Sequence, residues 1–106
     1  MRNSEPETSR LKRLKALASP VRLTILTELK TPERFPPQVD GDPVADGICA
    51  DFIRERLGVA AATASRHLTL LVDAGLLIDT RKKGWTFYRR DEAAIRRFAL
   101  DLSEAL

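Results

Sequence analysis

The chain has 106 residues and a net charge of +3, with 43% hydrophobic and 31% charged residues, which is typical of one globular domain with a modest core. It contains no apolar run of about 18 residues and starts with a polar segment, so we expect neither a membrane span nor a secretory signal. The single cysteine excludes an internal disulfide framework and fits a reducing compartment, so we expect a cytoplasmic protein.

The charge is unevenly distributed along the chain. Residues 30–51 contain two basic and five acidic residues, a net charge of −3, so the remaining residues carry about +6. A basic remainder favours a polyanionic partner such as nucleic acid, although a basic surface that is merely solvated has the same composition.

Two short helices are predicted near the N-terminus, after a polar tail over residues 1–8 that we expect to be disordered. A stripe of leucines predicts the first helix, with Ser9 as its N-cap. Ser19 and Pro20 then provide an N-cap and a first-turn proline for a second helix that ends near Leu29.

Residues 30–47 are rich in proline, glycine and carboxylates and show little periodicity, so we interpret them as a loop inserted in the domain. Because such a length is unusual in a compact domain, the insertion is either a mobile or functional element or a surface addition with no role of its own. Three apolar residues could attach it to the body of the domain: Phe35, Val39 and Val44.

The stretch from Asp51 to Leu76 predicts two helices joined by a tight turn at Gly58, where glycine accepts the left-handed conformation that ends the first helix. Apolar residues of the second helix recur at steps of three and four, which indicates a buried stripe. The stripe comprises Ala64, Leu68 and Leu71, widened by Leu70 and Val72. Small and polar residues on the opposite face are the layout of a DNA-reading helix-turn-helix, although a helical hairpin in an ordinary core has the same periodicity.

The segments 76–81 and 85–90 are rich in β-branched and aromatic residues and flank the basic turn Lys82-Lys83-Gly84, which predicts a β-hairpin. A hairpin directly after a helix-turn-helix is a wing. Trp85 and Phe87 share one face of its second strand, where they would serve as core residues or as base-stacking platforms. A final amphipathic helix follows, capped by an aspartate.

The order helix, helix, helix-turn-helix, wing, helix resembles the ArsR/SmtB family of bacterial winged-helix repressors. The likeness is carried by LASPVRLTIL at 17–26, LGVAAATASRHLTLLVDAGLL at 57–77 and KKGWTFYRRD at 82–91. It covers residues 10–106 except the insertion, which is longer than is usual in the family. The resemblance implies a mainly α fold with a small β-hairpin over residues 9–106, and a sequence-specific repressor that binds an inverted-repeat operator.

The resemblance also implies a homodimer in which the first and last helices of each subunit pack together. The residues fit a dimer because these helices carry more apolar surface than a small monomer covers. The alternative is that both stripes pack on the core of their own subunit. We predict dimer contacts at Leu11, Leu14, Leu17, Ile95, Phe98, Leu102 and Leu106.

The front of the second motif helix and the wing tip are the candidate DNA contacts. Arginine can bind guanine with two hydrogen bonds, a threonine methyl can contact thymine, and basic wing residues suit phosphates or the minor groove. The chain departs from the family at Ala60 and Ala61, where members usually carry a serine and a longer polar residue, so shape readout gains weight. The predicted contacts are Ala61, Ala62, Thr63, Ser65, Arg66 and Thr69 in the helix, and Arg81, Lys82 and Lys83 in the wing.

Cys49 and Asp51 fall where metal-sensing family members carry a Cys-x-Cys motif, but they are weak candidates because a tight site needs several thiolates or imidazoles. We therefore expect no metal. Cys49 is either an oxidant-sensitive thiol near a helix start or a buried packing residue. His67 suits a phosphate contact or packing rather than metal ligation.

The sequence shows no recognisable pairing of a nucleophile with histidine and no phosphate-binding glycine loop, so we expect neither enzymatic activity nor a cofactor. The expected partners are double-stranded DNA and a second copy of the chain, with no membrane and with an effector that the sequence does not name. The alternatives are a winged-helix module that binds only proteins, or a redox- or metal-responsive regulator that uses Cys49.

Overall fold

The computed structural model describes residues 7–106, which form five α-helices and one three-stranded antiparallel sheet. This is the predicted mainly α fold with a small hairpin. The helices are α1 (Glu7–Leu17), α2 (Pro20–Glu28), α3 (Ala50–Leu57), α4 (Ala61–Asp73) and α5 (Glu92–Ala105). The strands are β1 (Ile48–Cys49), β2 (Leu77–Lys82) and β3 (Trp85–Arg90), and a 3-10 turn spans Pro32–Arg34.

The starts of the first two helices test two predicted caps. Helix α1 already contains Glu7, Thr8 and Ser9, so Ser9 is not its N-cap and the prediction of a disordered tail is wrong for residues 7 and 8. The carboxylate of Glu7 in the first turn favours the longer helix because it interacts well with the helix dipole. Residues 1–6 lie outside the described residues. The cap at α2 is confirmed, because Ser19 Oγ accepts a hydrogen bond of 3.2 Å from the backbone N–H of Arg22.

The sheet has the order β1-β3-β2, so the wing strand β3 is central. The hairpin β2–β3 is confirmed, with a register that runs from Leu77 opposite Arg90 to Lys82 opposite Trp85. Its turn residues, Lys83 and Gly84, have φ of 52° and 82°, the pattern of a type I′ turn. Strand β1 was not predicted, because two residues are too short to show alternation, yet it closes the sheet by pairing with β3.

The core lies between the helices and the inner face of the sheet. Ile25, Ile48, Leu68, Leu71, Leu76 and Phe87 are each exposed by no more than 1%. The predicted widening of the α4 stripe by Leu70 is wrong, because Leu70 lies one position off the stripe and is exposed. Of the three apolar residues expected to attach the insertion, only Phe35 is buried, and the guanidinium of Arg56 lies 4.1 Å from the centre of its ring.

No helix among residues 7–106 combines the length and apolar character needed to cross a membrane.

Candidate nucleic-acid interface

Helix α4 is held by its buried side and leaves its other side free. Ala64, Leu68 and Leu71 are buried in the core, which fixes the rotation of the helix. The turn before it is made at Gly58, whose φ of +70° is the left-handed conformation predicted for it. Ala60 is the N-cap of α4 and makes no side-chain hydrogen bond, so the predicted lack of a cap is confirmed.

The front and outer side of α4 carry the predicted base-reading residues. Arg66 is exposed and has no hydrogen-bond or ion-pair partner among residues 7–106. Its guanidinium donors are therefore available to an external acceptor. The other predicted residues of this surface are exposed or half-buried: Ala61, Ala62, Thr63, Ser65 and Thr69.

An open groove of about 440 Å³ lies between α4 and the wing. Ser65 and Thr69 line it from the helix, and Arg81 lines it from β2, so the structure brings these three predicted residues together. The remaining predicted residues of α4 and the wing do not line this groove. Asp79, Thr86 and Tyr88 also line it, and sequence reasoning had not assigned them to the site.

The two wing lysines have partners that the sequence did not predict. Lys82 Nζ lies 3.1 Å from Asp46 Oδ2, and Lys83 Nζ lies 3.5 Å from Asp40 Oδ1. Both carboxylates belong to the insertion between α2 and β1. The wing tip is thus basic in sequence but paired with acidic groups in the folded chain.

The aromatic and arginine residues of β3 have different surroundings. Phe87 is a core residue, whereas Trp85 is exposed and lines the groove beside α4. Arg90 serves the fold, because its Nε lies 2.8 Å from Glu92 Oε2 and its Nη1 donates to the carbonyl of Leu26 at 3.0 Å.

His67 packs beneath the α4 surface. A guanidinium nitrogen of Arg22 lies 3.0 Å from His67 Nδ1, and since arginine can only donate, Nδ1 is the acceptor and the ring is neutral. Burial and the positive charges of Arg22 and Arg66 lower the pKa of His67 below its usual value, which agrees with the neutral form. His67 therefore accepts a hydrogen bond from Arg22 within the domain.

Cys49 and Asp51 flank the start of α3 without forming a shared site. Cys49 is buried, and its backbone N–H donates to Gln38 Oε1 at 2.7 Å. Asp51 is exposed and lies 3.7 Å from Arg54 Nε. Among residues 7–106, no three His, Cys, Asp or Glu side chains are grouped so that they could hold one metal ion.

The residues predicted for the dimer fall into two groups. Phe98 is only 5% exposed and belongs to the core of its own subunit, as the alternative of internal packing predicts for this residue. Leu100, which the stripe did not include, is 62% exposed. Of the other predicted residues, Leu11, Leu14 and Leu106 are exposed, while Leu17, Ile95 and Leu102 are half-buried against the core.

Helices α1 and α5 are joined within one subunit by a two-point ion pair. Arg10 Nε lies 2.7 Å from Asp101 Oδ2 and Arg10 Nη2 lies 3.1 Å from Oδ1. The hydrogen bond from Arg10 lowers the pKa of Asp101 below its usual value, so the carboxylate is charged at neutral pH. The two helices that carry the exposed leucines are therefore joined at this ion pair.

A groove between an exposed helix of a helix-turn-helix and a β-hairpin defines a winged helix-turn-helix protein. The chain is 42% identical over 86 residues to an uncharacterized HTH-type transcriptional regulator, YbzH, of Bacillus subtilis, a match that covers 80% of this chain and 86% of the relative. No protein-family model matches the chain.

Two solved structures are similar over most of the chain. An ArsR-like transcriptional regulator from Rhodococcus superposes with a TM-score of 0.69 at 22% identity, over 92% of this chain and 79% of that one. A homodimeric winged helix-turn-helix DNA-binding domain from Mycobacterium bovis, described as a possible ArsR-family regulator, superposes with a TM-score of 0.66 at 28% identity and the same coverage. The chain belongs to the helix-turn-helix transcriptional regulators, and its fold is similar to that of these ArsR-like domains.

Proposed function

We propose that this regulator is a homodimeric repressor that inserts α4 of each subunit into the major groove of an inverted-repeat operator. The observation that carries the proposal is the groove between α4 and the wing, with the unpaired guanidinium of Arg66 on the same helix. A repressor of this kind acts by binding DNA and catalyses no reaction. It works in the cytoplasm, where bacterial DNA is located.

Some residues of the interface contact the edges of bases, and the others contact the DNA backbone. Arg66 suits two hydrogen bonds to a guanine, and the hydroxyls of Ser65 and Thr69 suit single contacts to a base edge or a phosphate. Ala61, Ala62 and Thr63 at the front of the helix are small enough for a close approach to the groove wall. The phosphate contacts belong to Arg81, Lys82 and Lys83, whose charges carry no base information.

The dimer is proposed to form through α1 and α5. Leu11, Leu14 and Leu100 expose apolar surface on these two neighbouring helices, and the similar domain from Mycobacterium bovis is a homodimer. A two-fold dimer would place two copies of α4 about one turn of the duplex apart, about 34–36 Å.

Selection from a random duplex pool, followed by affinity measurements over a range of salt concentrations, tests the DNA-binding proposal. We expect a near-palindromic consensus, and a logarithm of the binding constant that falls linearly with the logarithm of salt concentration because phosphate contacts release counterions. Absence of any salt-dependent binding to duplex DNA would instead favour a module that binds proteins only.

Sedimentation of a Leu14→Glu/Leu100→Glu variant tests the dimer. Both side chains are exposed in the single subunit, so the fold should persist, while two charges buried in an apolar interface should weaken association by about 3 kcal/mol or more. The control is Leu70→Glu, which places one such charge at an exposed leucine of α4 and should remain dimeric. A wild-type monomer at micromolar concentration would contradict the proposed assembly.

A further inference from the structure

The insertion between α2 and β1 is fixed at its base by Gln38. The side-chain amide of Gln38 donates to the carbonyl of Gly47 at 3.1 Å, and its Oε1 accepts from the backbone N–H of Cys49 at 2.7 Å. One side chain thus ties the middle of the insertion to its last residue and to strand β1.

The acidic part of the insertion is a hydrogen-bonded turn. Asp42 Oδ2 accepts from the backbone N–H groups of Val44 and Ala45 at 3.0 and 2.7 Å. Asp46 Oδ2 accepts in turn from the backbone N–H of Asp42 at 2.8 Å. The hydrogen bond from Asp42 orients the Asp46 carboxylate independently of its contact with the wing.

The turn lies directly against β3. A Cβ atom added at Gly41 would lie 2.6 Å from two ring carbons of Phe87, so only glycine permits this approach, and its φ of +79° also favours glycine. Because Phe87 is a core residue two positions from the start of β3, the insertion is held next to the wing tip.

The contact between the insertion and the wing pairs charge with charge. Asp46 is 16% and Asp40 27% exposed, whereas their partners Lys82 and Lys83 are 50% and 73% exposed. The backbone N–H of Asp42 and the ammonium of Lys82 lower the pKa of Asp46, so its carboxylate stays ionised at neutral pH. The lysines remain accessible to an external anion while each is held by a carboxylate.

We propose that Asp40 and Asp46 take the place of DNA phosphates on the wing in the free protein, and that duplex DNA must displace them to engage Lys82 and Lys83. This inference rests on the proposed function. The two carboxylates lower the affinity for every duplex alike, since they compete for contacts that read no sequence. Readout of bases by α4 is left unchanged.

The competition changes the salt dependence as well as the affinity. A lysine that binds a phosphate releases about one counterion from the duplex. A lysine that first leaves a carboxylate frees that carboxylate to take up a cation, so the net release is smaller. The salt dependence of DNA binding is therefore shallower than it would be if Lys82 and Lys83 had no carboxylate partners.

A variant with Asp40→Asn and Asp46→Asn tests the proposal. Asparagine keeps an oxygen that can accept from the backbone of Asp42 but removes the charge. We expect roughly 3- to 10-fold tighter binding at low salt, by the same factor on a random-sequence duplex and on a selected duplex, because exposed ion pairs are individually weak. The slope of affinity against salt should steepen by up to about 2 units for each subunit of the proposed dimer.

Two controls separate local pairing from overall charge. Glu33→Gln with Glu104→Gln makes the same change in net charge at two exposed positions away from the wing lysines, and should leave both affinity and slope nearly unchanged. The second control repeats the aspartate substitutions in a Lys82→Gln/Lys83→Asn background, where they should have no effect. Asparagine is chosen at 83 because it tolerates the positive φ of this turn position.

The outcomes distinguish this inference from the proposed function. If the aspartate variant binds no tighter than wild type, or if the glutamate control gains as much, the insertion does not compete with DNA. An aspartate effect that persists undiminished without the two lysines also overturns it. A wild-type protein that binds no duplex at any salt concentration would contradict the proposed function itself. For the single Asp40→Asn variant, which leaves the Asp42–Asp46 turn intact, we expect about half of the gain.

Discussion

Helix α4 and the tip of the wing lie on opposite sides of one groove, and the positive charges that they carry beside it have different partners. Arg66 on α4 is exposed and has no partner among residues 7–106, whereas Lys82 and Lys83 on the wing are each held by a carboxylate of the insertion. DNA can bind Arg66 directly, whereas at Lys82 and Lys83 it must first displace the carboxylates of the insertion. The two walls therefore differ in how much free energy a phosphate or base contact contributes.

This difference follows from where each element lies in the fold. The outer side of α4 faces away from the body of the domain, because Ala64, Leu68 and Leu71 fix the helix by its inner side. The wing tip extends past the core, but the insertion reaches it because β1 pairs with β3 and starts directly after the acidic turn.

The largest expected effect is that of Arg66→Ala. Loss of a two-point contact to guanine should reduce affinity for the selected duplex by about 1–3 kcal/mol and should cost less on random duplex. Titration of a labelled duplex followed by fluorescence anisotropy measures both values. Lys30→Ala, which removes an exposed positive charge outside the interface, is the control. A folded Arg66→Ala dimer with unchanged affinity for the selected duplex would remove Arg66 from the readout.

A smaller effect is expected from the wing variant Lys82→Gln/Lys83→Asn. It should weaken binding to all duplexes alike and make the salt slope shallower by up to about 2 units for each subunit of the proposed dimer. Since the carboxylates already offset part of this charge, the change in slope should be smaller in the wild-type background than in the Asp40→Asn/Asp46→Asn background. Affinities measured over a range of salt concentrations give both slopes, and a loss confined to the selected duplex would rule out the phosphate role.

The smallest effect concerns the stability of α4 rather than its charge. Ala60 occupies the N-cap with extended backbone dihedrals and no side-chain hydrogen bond, so Ala60→Ser should raise the free energy of unfolding by about 1 kcal/mol. Urea denaturation measures this gain. Ala62→Ser, at an exposed position inside the first turn of the same helix, provides no cap and should give no gain. Equal stability of the two variants would show that solvent already satisfies this helix start.

The parts of the site that the sequence predicted are those set by local patterns. The stripe of Ala64, Leu68 and Leu71 predicted the rotation of α4, and the glycine-containing basic turn predicted the hairpin that lies across the groove from it. The pairing of Lys82 and Lys83 could not be predicted, because it depends on a two-residue strand, Ile48–Cys49, that shows no alternation. The excess of carboxylates before that strand was the one available signal.

The dimer surface shows a second limit of periodicity. A stripe of apolar residues on a terminal helix predicts burial but does not say in which subunit. Phe98 is buried in its own core, whereas Leu100, off the stripe, is 62% exposed. The residues that remain on the surface after folding can be identified only once α5 has been placed against the rest of the domain.

The ratio of affinities for selected and random duplex tests most directly that α4 reads bases while the wing contributes charge. It should be measured at one salt concentration for wild type, Arg66→Ala and Lys82→Gln/Lys83→Asn. We expect Arg66→Ala to lower the ratio by up to about 150-fold, since the loss on random duplex offsets part of the loss on the selected duplex, and the wing variant to lower both affinities while leaving the ratio unchanged. A ratio that falls in the wing variant and holds in Arg66→Ala would contradict the assignment of roles to the two walls of the groove.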